Sequence, residues 1–253
     1  MFEFTNKMEE CNKLKNELDS FRPFSPSVIT QLKEYYKINL TYTSNAIEGN
    51  SLTESETKVV IEDGITIGGK PLRDHLEAIG HASAYDFIYD LAKDQKDILE
   101  DDILKMHRLF YEKIDENNAG KYRKVQVFVS GTDYAFPKPE VVSTLMKDFI
   151  KNIQTRRKNL HPIALAAWLH YQFVNLHPFV DGNGRVARLL MNLALLRSGY
   201  VITVIPPTIR SSYIDIVKTC QKEGDPLLFI DFMSNMVWEG LKEQLRLLKG
   251  TIP

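Results

Sequence analysis

Cysteine, long apolar runs and targeting features are scarce in this sequence of 253 residues. The two cysteines, Cys11 and Cys220, lie outside any CxxC pair, so neither a disulfide framework nor a cysteine zinc site is indicated. No apolar run approaches the roughly 18 residues of a membrane span, and the first residues lack the basic flank and apolar core of a secretory signal. We therefore expect a soluble protein of the cytoplasm, a reducing compartment.

An excess of charge is lacking as well, because 32 basic and 33 acidic residues leave a formal net charge of -1. Such a chain has no global field to attract nucleic acid or an anionic membrane surface, so neither is expected as a partner. Neither GxxxxGK[ST] nor GxGxxG occurs, which argues against the P-loop and Rossmann modes of holding a nucleotide. With 43% hydrophobic residues, the composition is that of an ordinary globular protein with a sizeable core.

Most of the chain shows the spacing of amphipathic helices. Apolar residues recur at steps of three or four from Phe4 to Leu18. Ser25-Pro26 supplies an N-cap and a first-turn proline for a helix that stops at Gly49. Thr53 and Glu56 form a capping-box pattern for the next helix. Helices after Gly49 are predicted over residues 53–62, 71–94, 97–114, 139–155, 162–176, 185–198, 209–221 and 226–249.

One segment departs from the helical pattern. Val125, Val127 and Val129 alternate with polar and aromatic residues, and the turn-rich run from Ser130 to Asp133 follows them. Alternation of this kind followed by turn residues is typical of a β-hairpin. The sequence therefore predicts a mainly α protein with one hairpin near residues 124–137.

A short loop between two apolar helices has the features of an anion site. Residues 181–184, Asp-Gly-Asn-Gly, open a helix, so unpaired backbone N–H groups and the positive end of the helix dipole face whatever binds there. Gly182 and Gly184 let the backbone approach phosphate oxygens closely, and Arg185 and Arg188 add donors suited to phosphate. Together these residues predict a cradle for a polyphosphate.

The same residues carry a resemblance to a known family. His177 to Arg188 reads HPFVDGNGRVAR, which matches every specified position of HPFx[DE]GNGRxxR, the signature of Fic-domain adenylyltransferases. Pro162, His170 and the run from Gly120 to Arg123 are also similar to the family core. The resemblance extends over about residues 98 to 236.

The fold that this resemblance implies is mainly α, with a Fic-type helical core, one β-hairpin flap and additional N-terminal helices. We expect an N-terminal helical region at residues 1–97, the catalytic core at 98–236 and the end of a C-terminal helix at 237–253. Within the first region, an inhibitory helix is expected at about residues 40–49.

The activity that the resemblance implies is transfer of AMP from ATP to a Ser, Thr or Tyr hydroxyl of a target protein or of the enzyme itself. It makes His177 the base that takes the hydroxyl proton, and Asp181 the ligand of a Mg²⁺ ion that bridges the ATP phosphates. Residues 183–185 are expected to stabilise the α- and β-phosphates, with Arg188 at the γ-phosphate. The ATP-binding residues expected in this loop and helix are Asp181, Gly182, Asn183, Gly184, Arg185 and Arg188.

The resemblance also predicts what covers the nucleotide. The hairpin is similar to the family's flap, which lies over the nucleotide and aligns an extended stretch of the target by strand pairing. Two residues near the C-terminus lie where the family contacts adenine. The residues expected in these roles are Val127, Phe128, Val129 and Ser130 in the flap, and Tyr213 and Gln221 at the adenine.

A second motif lies upstream of the core. Residues Ser44 to Asn50, SNAIEGN, resemble the [ST]xxxE[GN] motif of Fic proteins that carry their own inhibitory helix. The resemblance predicts that Glu48 pairs with Arg188, with Ser44 as the other inhibitory residue. A bidentate carboxylate–guanidinium pair would hold Arg188 away from the γ-phosphate, so we expect autoinhibition.

Two other functions stay open from the sequence. Some relatives use the glutamate of this motif to position a water that removes AMP from modified targets, so Glu48 is compatible with a de-AMPylating or bifunctional enzyme. A regulator that binds ATP without transferring AMP is the second alternative, although the intact His177 argues against it. Dimers are common in such families, so a homo-oligomer is compatible with the sequence.

Overall fold

A computed structural model describes residues 4–94, 96–129 and 131–251 of the chain. These residues form ten α-helices and one short 3₁₀ helix. Within the described ranges, no helix has both the length and the apolar character that crossing a membrane requires. The α-helices are α1 (Met8–Asp19), α2 (Pro26–Ile47), α3 (Glu54–Glu62), α4 (Leu72–Lys93), α5 (Glu100–Tyr111), α6 (Pro139–Asn159), α7 (Pro162–Leu176), α8 (Asn183–Arg197), α9 (Arg210–Glu223) and α10 (Leu227–Thr251), and the 3₁₀ helix is Pro207–Ile209.

Local signals set the ends of the helices that lead to the site. Ser25 caps α2 through a hydrogen bond from Val28 N, and Pro26 occupies its first turn. Thr53 and Glu56 form the predicted reciprocal capping box of α3. The chain turns between these two helices at Gly49, where φ is +95°. The end of α2 is therefore fixed, and Glu48 is its C-cap residue.

The helices α7 and α8 form the centre of the core. Twelve residues of each helix are buried, and the two helices pack against each other. On the outside of this pair, α4 packs on α8, α10 packs on α7, and α1 packs on α10. Because both helices are enclosed, the short loop between them, residues 177–182, has little freedom to move.

The helix α2 brings polar residues into this interior. It packs against α3 and α4, and its C-terminal half approaches α8. Four of its polar residues are buried, namely Thr41, Thr43, Ser44 and Asn45. Buried polar groups usually find partners. Two arginines of α8 donate to the Ser44 hydroxyl and to the Asn45 carbonyl oxygen, while the Asn45 amide nitrogen has no partner among the described residues.

The predicted β-hairpin is not confirmed, because the described residues 124–129 and 131–137 contain no strand. The Arg123 guanidinium donates to the carbonyls of Val125 and Pro137, so it ties together the two ends of this segment. The arms meet through the side chain of Gln126, which donates to Phe136 O at 3.2 Å, and no backbone hydrogen bond joins them among these residues. Ser130 lies outside the described residues.

Candidate active site

His177 ends α7 in a strained conformation that aims its ring. Its backbone is left-handed, with φ 46° and ψ 57°, which costs a residue other than glycine roughly 1–3 kcal/mol. The Nδ1 atom lies 3.2 Å from Val174 O, and a carbonyl only accepts, so Nδ1 carries the proton and Nε2 keeps its lone pair. Burial lowers the pKa of His177 below its ordinary value. The imidazole is thus a neutral base at pH 7.

Arg123, a residue without a role predicted from the sequence, stabilises the left-handed backbone conformation of His177. Its Nε donates to His177 O at 2.8 Å, and its backbone N donates to Pro178 O at 2.9 Å. The run from Gly120 to Arg123 was the only signal for this in the sequence. Arg123 therefore fixes the start of the loop from the outside.

The middle of the loop is anchored by Phe179, which is fully buried. Its ring stacks on His107 at 3.8 Å between centroids. His107 accepts from Gly120 N through Nδ1, so its Nε2 carries the proton and donates to Asp181 O at 3.1 Å. The Asn183 side chain closes the loop by bonding both Phe179 N and Phe179 O at 2.9 Å. Asn183 thus braces the loop with its side chain.

The first turn of α8 has the predicted open amides. Val186 N bonds Gly182 O at 3.0 Å, while the amides of 183–185 have no partner among the described residues. Gly182 has φ +78°, and a Cβ there would lie 2.8 Å from the Phe110 ring. At Gly184 a Cβ would lie 2.5 Å from Glu48 Oε1. The turn and the Phe110 ring require glycine at 182, and the missing side chain at 184 leaves room for the Glu48 carboxylate or for another anionic group.

Arg188 lies directly behind this turn, with 1% of its side chain exposed. Its NH2 group donates to Glu48 Oε1 at 2.7 Å and to Ser44 O at 2.9 Å. Its Nε donates to Ser44 Oγ at 2.9 Å, and its NH1 donates to Tyr213 OH at 3.4 Å. The Glu48–Arg188 pair predicted from the sequence is present, with a single carboxylate oxygen in the contact.

The charge of Glu48 is maintained by its neighbours. Burial opposes ionisation, but Arg188 and Arg185 outweigh it, so the pKa of the Glu48 carboxyl lies below its ordinary value. The side chain is 34% exposed, and it lines a polar cavity of about 270 Å³ together with Arg73, Asp181 and Arg185. An ionised carboxylate therefore faces the cavity beside the turn of α8.

Two residues of α4 that sequence reasoning missed complete the site. Arg73 NH2 donates to Asp181 Oδ2 at 2.6 Å, and its Nε donates to Glu77 Oε1 at 3.1 Å. Glu77 Oε1 also lies 3.1 Å from Arg185 NH1, whose NH2 is 3.5 Å from Asp181 Oδ1. These four side chains form a closed ring of alternating charge. Glu77 and Arg185 are buried, whereas Asp181 and Arg73 are partly exposed, at 39% and 53%.

Comparisons with known proteins give the family of the chain. The sequence model of the Fic/DOC family matches residues 97–195. The structure superposes on Fic-1 (residues 134–508) of C. elegans with a TM-score of 0.88 and 30% identity, over 97% of this chain and 73% of that one. The chain belongs to the Fic/DOC family. A Fic domain-containing signalling protein of Bacteroides thetaiotaomicron is similar too, with a TM-score of 0.88 and 28% identity over 95% of this chain and 97% of that chain.

Curated relatives extend the likeness to the N-terminal helices. Protein adenylyltransferase Fic of Drosophila melanogaster is 34% identical over 230 residues, which is 90% of this chain and 46% of that protein. The Drosophila grimshawi protein of the same name is 37% identical over 90% of this chain and 47% of its own length. This Fic chain thus spans less than half the length of these relatives.

The other residues that the Fic resemblance selected belong to the segment after Arg123 and to α9. Phe128 is 89% exposed and Val129 is exposed, while Val127 is half-buried. Their segment meets the site through Phe136, whose ring lies 4.4 Å from His177. Gln221 donates to Asn175 Oδ1 at 3.0 Å.

Tyr213, one of the two residues expected at the adenine, lies on the inward face of α9. Its side chain is buried, and its hydroxyl lies between Arg188 and His170. Because α9 turns this face toward α7 and α10, the ring packs among Phe229 and Phe232. The structure brings Tyr213 to the back of Arg188.

Proposed function

We propose that this Fic protein is an adenylyltransferase that transfers AMP from ATP to a Ser, Thr or Tyr hydroxyl of a target protein or of itself. The observation that carries the proposal is the placement of a neutral His177 beside the open first turn of α8, with Arg185 and Arg188 behind that turn. The names of the Drosophila relatives support it.

His177 acts as the general base. Since Nδ1 donates to Val174 O, Nε2 is the atom that accepts the proton of the attacking hydroxyl. The hydroxyl oxygen then bonds the α-phosphorus, the bond from that phosphorus to the bridging oxygen breaks, and pyrophosphate leaves. A positioned base of this kind contributes about 10²–10⁴ in rate.

The phosphates are held by the turn of α8. Its free amides and its helix dipole favour oxygen anions, and Gly184 lets them approach without a Cβ in the way. Arg185 stabilises charge on the α- and β-phosphates, and Arg188 reaches the γ-phosphate. Positioning and charge stabilisation supply most of the catalysis in phosphoryl-type transfers.

Asp181 suits a Mg²⁺ ion that arrives with ATP. Its carboxylate is partly exposed at the cavity, and Mg²⁺ is commonly held by one or two carboxylates together with substrate phosphates and water. The ion would neutralise negative charge on the phosphates.

The resting enzyme is restrained by Glu48. Its Oε1 atom lies against Gly184, where a phosphate would approach, and it pairs with the arginine that would bind the γ-phosphate. ATP therefore meets a negative charge and a paired guanidinium, so productive binding requires displacement of Glu48.

Removal of AMP is a second candidate reaction, and one observation favours it. Glu48 Oε2 has no hydrogen-bond partner among the described residues, and the carboxylate lines the cavity beside Asp181. An ionised oxygen in that place can orient a water toward a phosphorus bound at the turn.

The free Cys11 and Cys220, both buried, support a reducing compartment, and we propose the cytoplasm.

The test is incubation of the purified Glu48→Gly protein with Mg²⁺ and ATP labelled at the α- or the γ-phosphate. Transfer predicts covalent label from the α-phosphate only, which His177→Ala abolishes. Label from the γ-phosphate would indicate a kinase, and nucleotide binding without any label would indicate a regulator.

A further inference from the structure

The contacts of Arg188 divide into two groups. Among the described residues, the Arg188 side chain makes four hydrogen bonds, and three of them go to α2 and its C-cap, two to Ser44 and one to Glu48. These contacts belong to the restrained state, because the same helix carries the inhibitory glutamate. The fourth goes to Tyr213 on α9. Among the described residues, Tyr213 is therefore the partner that remains when α2 releases the guanidinium.

The direction of this fourth bond is fixed by chemistry. A guanidinium only donates, so the Tyr213 oxygen accepts from Arg188. The phenol proton must then point elsewhere, and His170 Nε2 lies 2.8 Å from the same oxygen. With the phenol proton directed at it, His170 accepts through Nε2 and carries its own proton on Nδ1, which has no partner among the described residues.

The surroundings of Tyr213 and His170 favour this arrangement of the two hydrogen bonds. Burial and the charge of Arg188 lower the pKa of His170 to about 3, so the ring is neutral and able to accept. His170 stacks on Phe229 at 4.6 Å, and the Tyr213 ring stacks on Phe232 at 5.9 Å. Neither ring is free to turn, and the phenol lone pairs stay aimed at Arg188.

We propose that Tyr213 is a positioning residue for Arg188, with His170 setting the direction of its hydroxyl, and that it holds the guanidinium for the γ-phosphate of ATP. This inference rests on the proposed function, which places Arg188 at that phosphate. It assigns Tyr213 a task distinct from contact with adenine, since the phenol oxygen is engaged behind the arginine.

The test compares ATP with ADP, which differ only in the γ-phosphate. The background is Glu48→Gly with His177→Ala, so that Arg188 is released and no turnover occurs, and affinities are measured by calorimetry with Mg²⁺. Tyr213→Phe is expected to weaken ATP binding by about tenfold, as for loss of a hydrogen bond to a charged group, and to leave ADP binding within about twofold. Equal weakening of both nucleotides, or of neither, would overturn the proposal.

The role of His170 is tested by a pair of variants. His170→Leu removes the acceptor and is expected to reproduce the ATP-selective loss, whereas His170→Gln restores an acceptor and most of the ATP affinity. A purely structural role would lower the affinity for both nucleotides, and the melting temperature, in each variant.

Arg188→Gln separates this inference from the proposed function. If that variant weakens ATP and ADP equally, or weakens neither, the γ-phosphate role of Arg188 is wrong, and the role of Tyr213 fails with it. If Arg188→Gln loses ATP binding selectively but Tyr213→Phe does not, only the positioning role is wrong.

Discussion

Glu48 and Arg188 are joined by a contact of 2.7 Å that also fills the space above Gly184. One carboxylate thus blocks the approach of a phosphate and pairs with the arginine proposed to bind it. The contact joins residues 140 positions apart in the chain, and it connects the N-terminal helices to the Fic motif.

The crowding at Gly184 is testable through stability. A Cβ at this position would lie 2.5 Å from Glu48 Oε1 and 3.2 Å from Arg188 NH1, so Gly184→Ala is expected to lower the free energy of unfolding by about 1–3 kcal/mol. In the Glu48→Gly background the first clash is absent, and the loss should shrink by about half or more. Urea unfolding of the four proteins gives the comparison. Equal losses in both backgrounds would contradict the placement of Glu48.

The contact between Arg73 and Asp181 predicts competition with the metal. Arg73 and Mg²⁺ would compete for the same carboxylate, so Arg73→Gln should lower the metal concentration at half-saturation by about fivefold, as for an exposed ion pair of about 1 kcal/mol. The measurement is Mn²⁺ binding by electron paramagnetic resonance with ADP present.

A matched control is Arg246→Gln, which removes another exposed arginine that pairs with a carboxylate, that of Glu243. This variant should bind Mn²⁺ as the parent does. Weaker metal binding by Arg73→Gln would mean that Arg73 supports the metal site instead of competing for it.

His177 predicts the pH dependence of transfer. Burial holds its pKa below the ordinary value of about 6.5, and the base must be deprotonated to act. The kcat/KM of Glu48→Gly should therefore rise with pH, pass its midpoint below pH 6.5 and stay level to pH 8. An ascending midpoint above pH 7 would assign the base to another group.

Buried histidines predict loss of stability in acid. Burial lowers the pKa of His81 and of His170 to about 3, and that of His107 to about 4. In the unfolded chain they titrate near 6.5, so below that pH the unfolded state binds protons that the folded state does not, and the free energy of unfolding falls. Each contributes a slope of about 1.4 kcal/mol per pH unit well below pH 6.5.

Urea unfolding between pH 7 and pH 4.5 measures that slope. His81→Asn keeps a polar partner for Thr41, whose hydroxyl lies 3.0 Å from His81 Nδ1, but it cannot titrate. The slope of the free energy of unfolding against pH should therefore be smaller than that of the parent by about 1.4 kcal/mol per pH unit. An unchanged slope would show that His81 takes up its proton in the folded state.

The sequence predicted those features that depend on neighbouring residues or on a motif. Ser25-Pro26 and the Thr53/Glu56 box set the starts of α2 and α3, and the HPFVDGNGRVAR run located the loop and its open turn. The Glu48–Arg188 pair was also predicted, because the resemblance of the upstream motif to the family's inhibitory helix implies a contact with the arginine of the second motif.

Features that depend on packing were not predictable. Arg73 lies 108 positions from Asp181, and nothing local marks it as a partner. The face of α9 that carries Tyr213 could be assigned only once α7 and α10 were in place. The alternating valines of 125–129 suggested a strand, but among the described residues the Phe136 and Pro137 carbonyls accept from the side chains of Gln126 and Arg123 and not from the amides of a facing strand.

The most direct measurement is the rate of AMP incorporation from α-labelled ATP by wild type, Glu48→Gly and the matched Asp63→Gly, which replaces an exposed acidic C-cap residue of α3. The account predicts that Glu48→Gly raises the rate by about tenfold or more, as expected when a charge-assisted contact is removed, and that Asp63→Gly matches wild type. A Glu48→Gly rate equal to that of wild type would contradict the restraint of the site by Glu48.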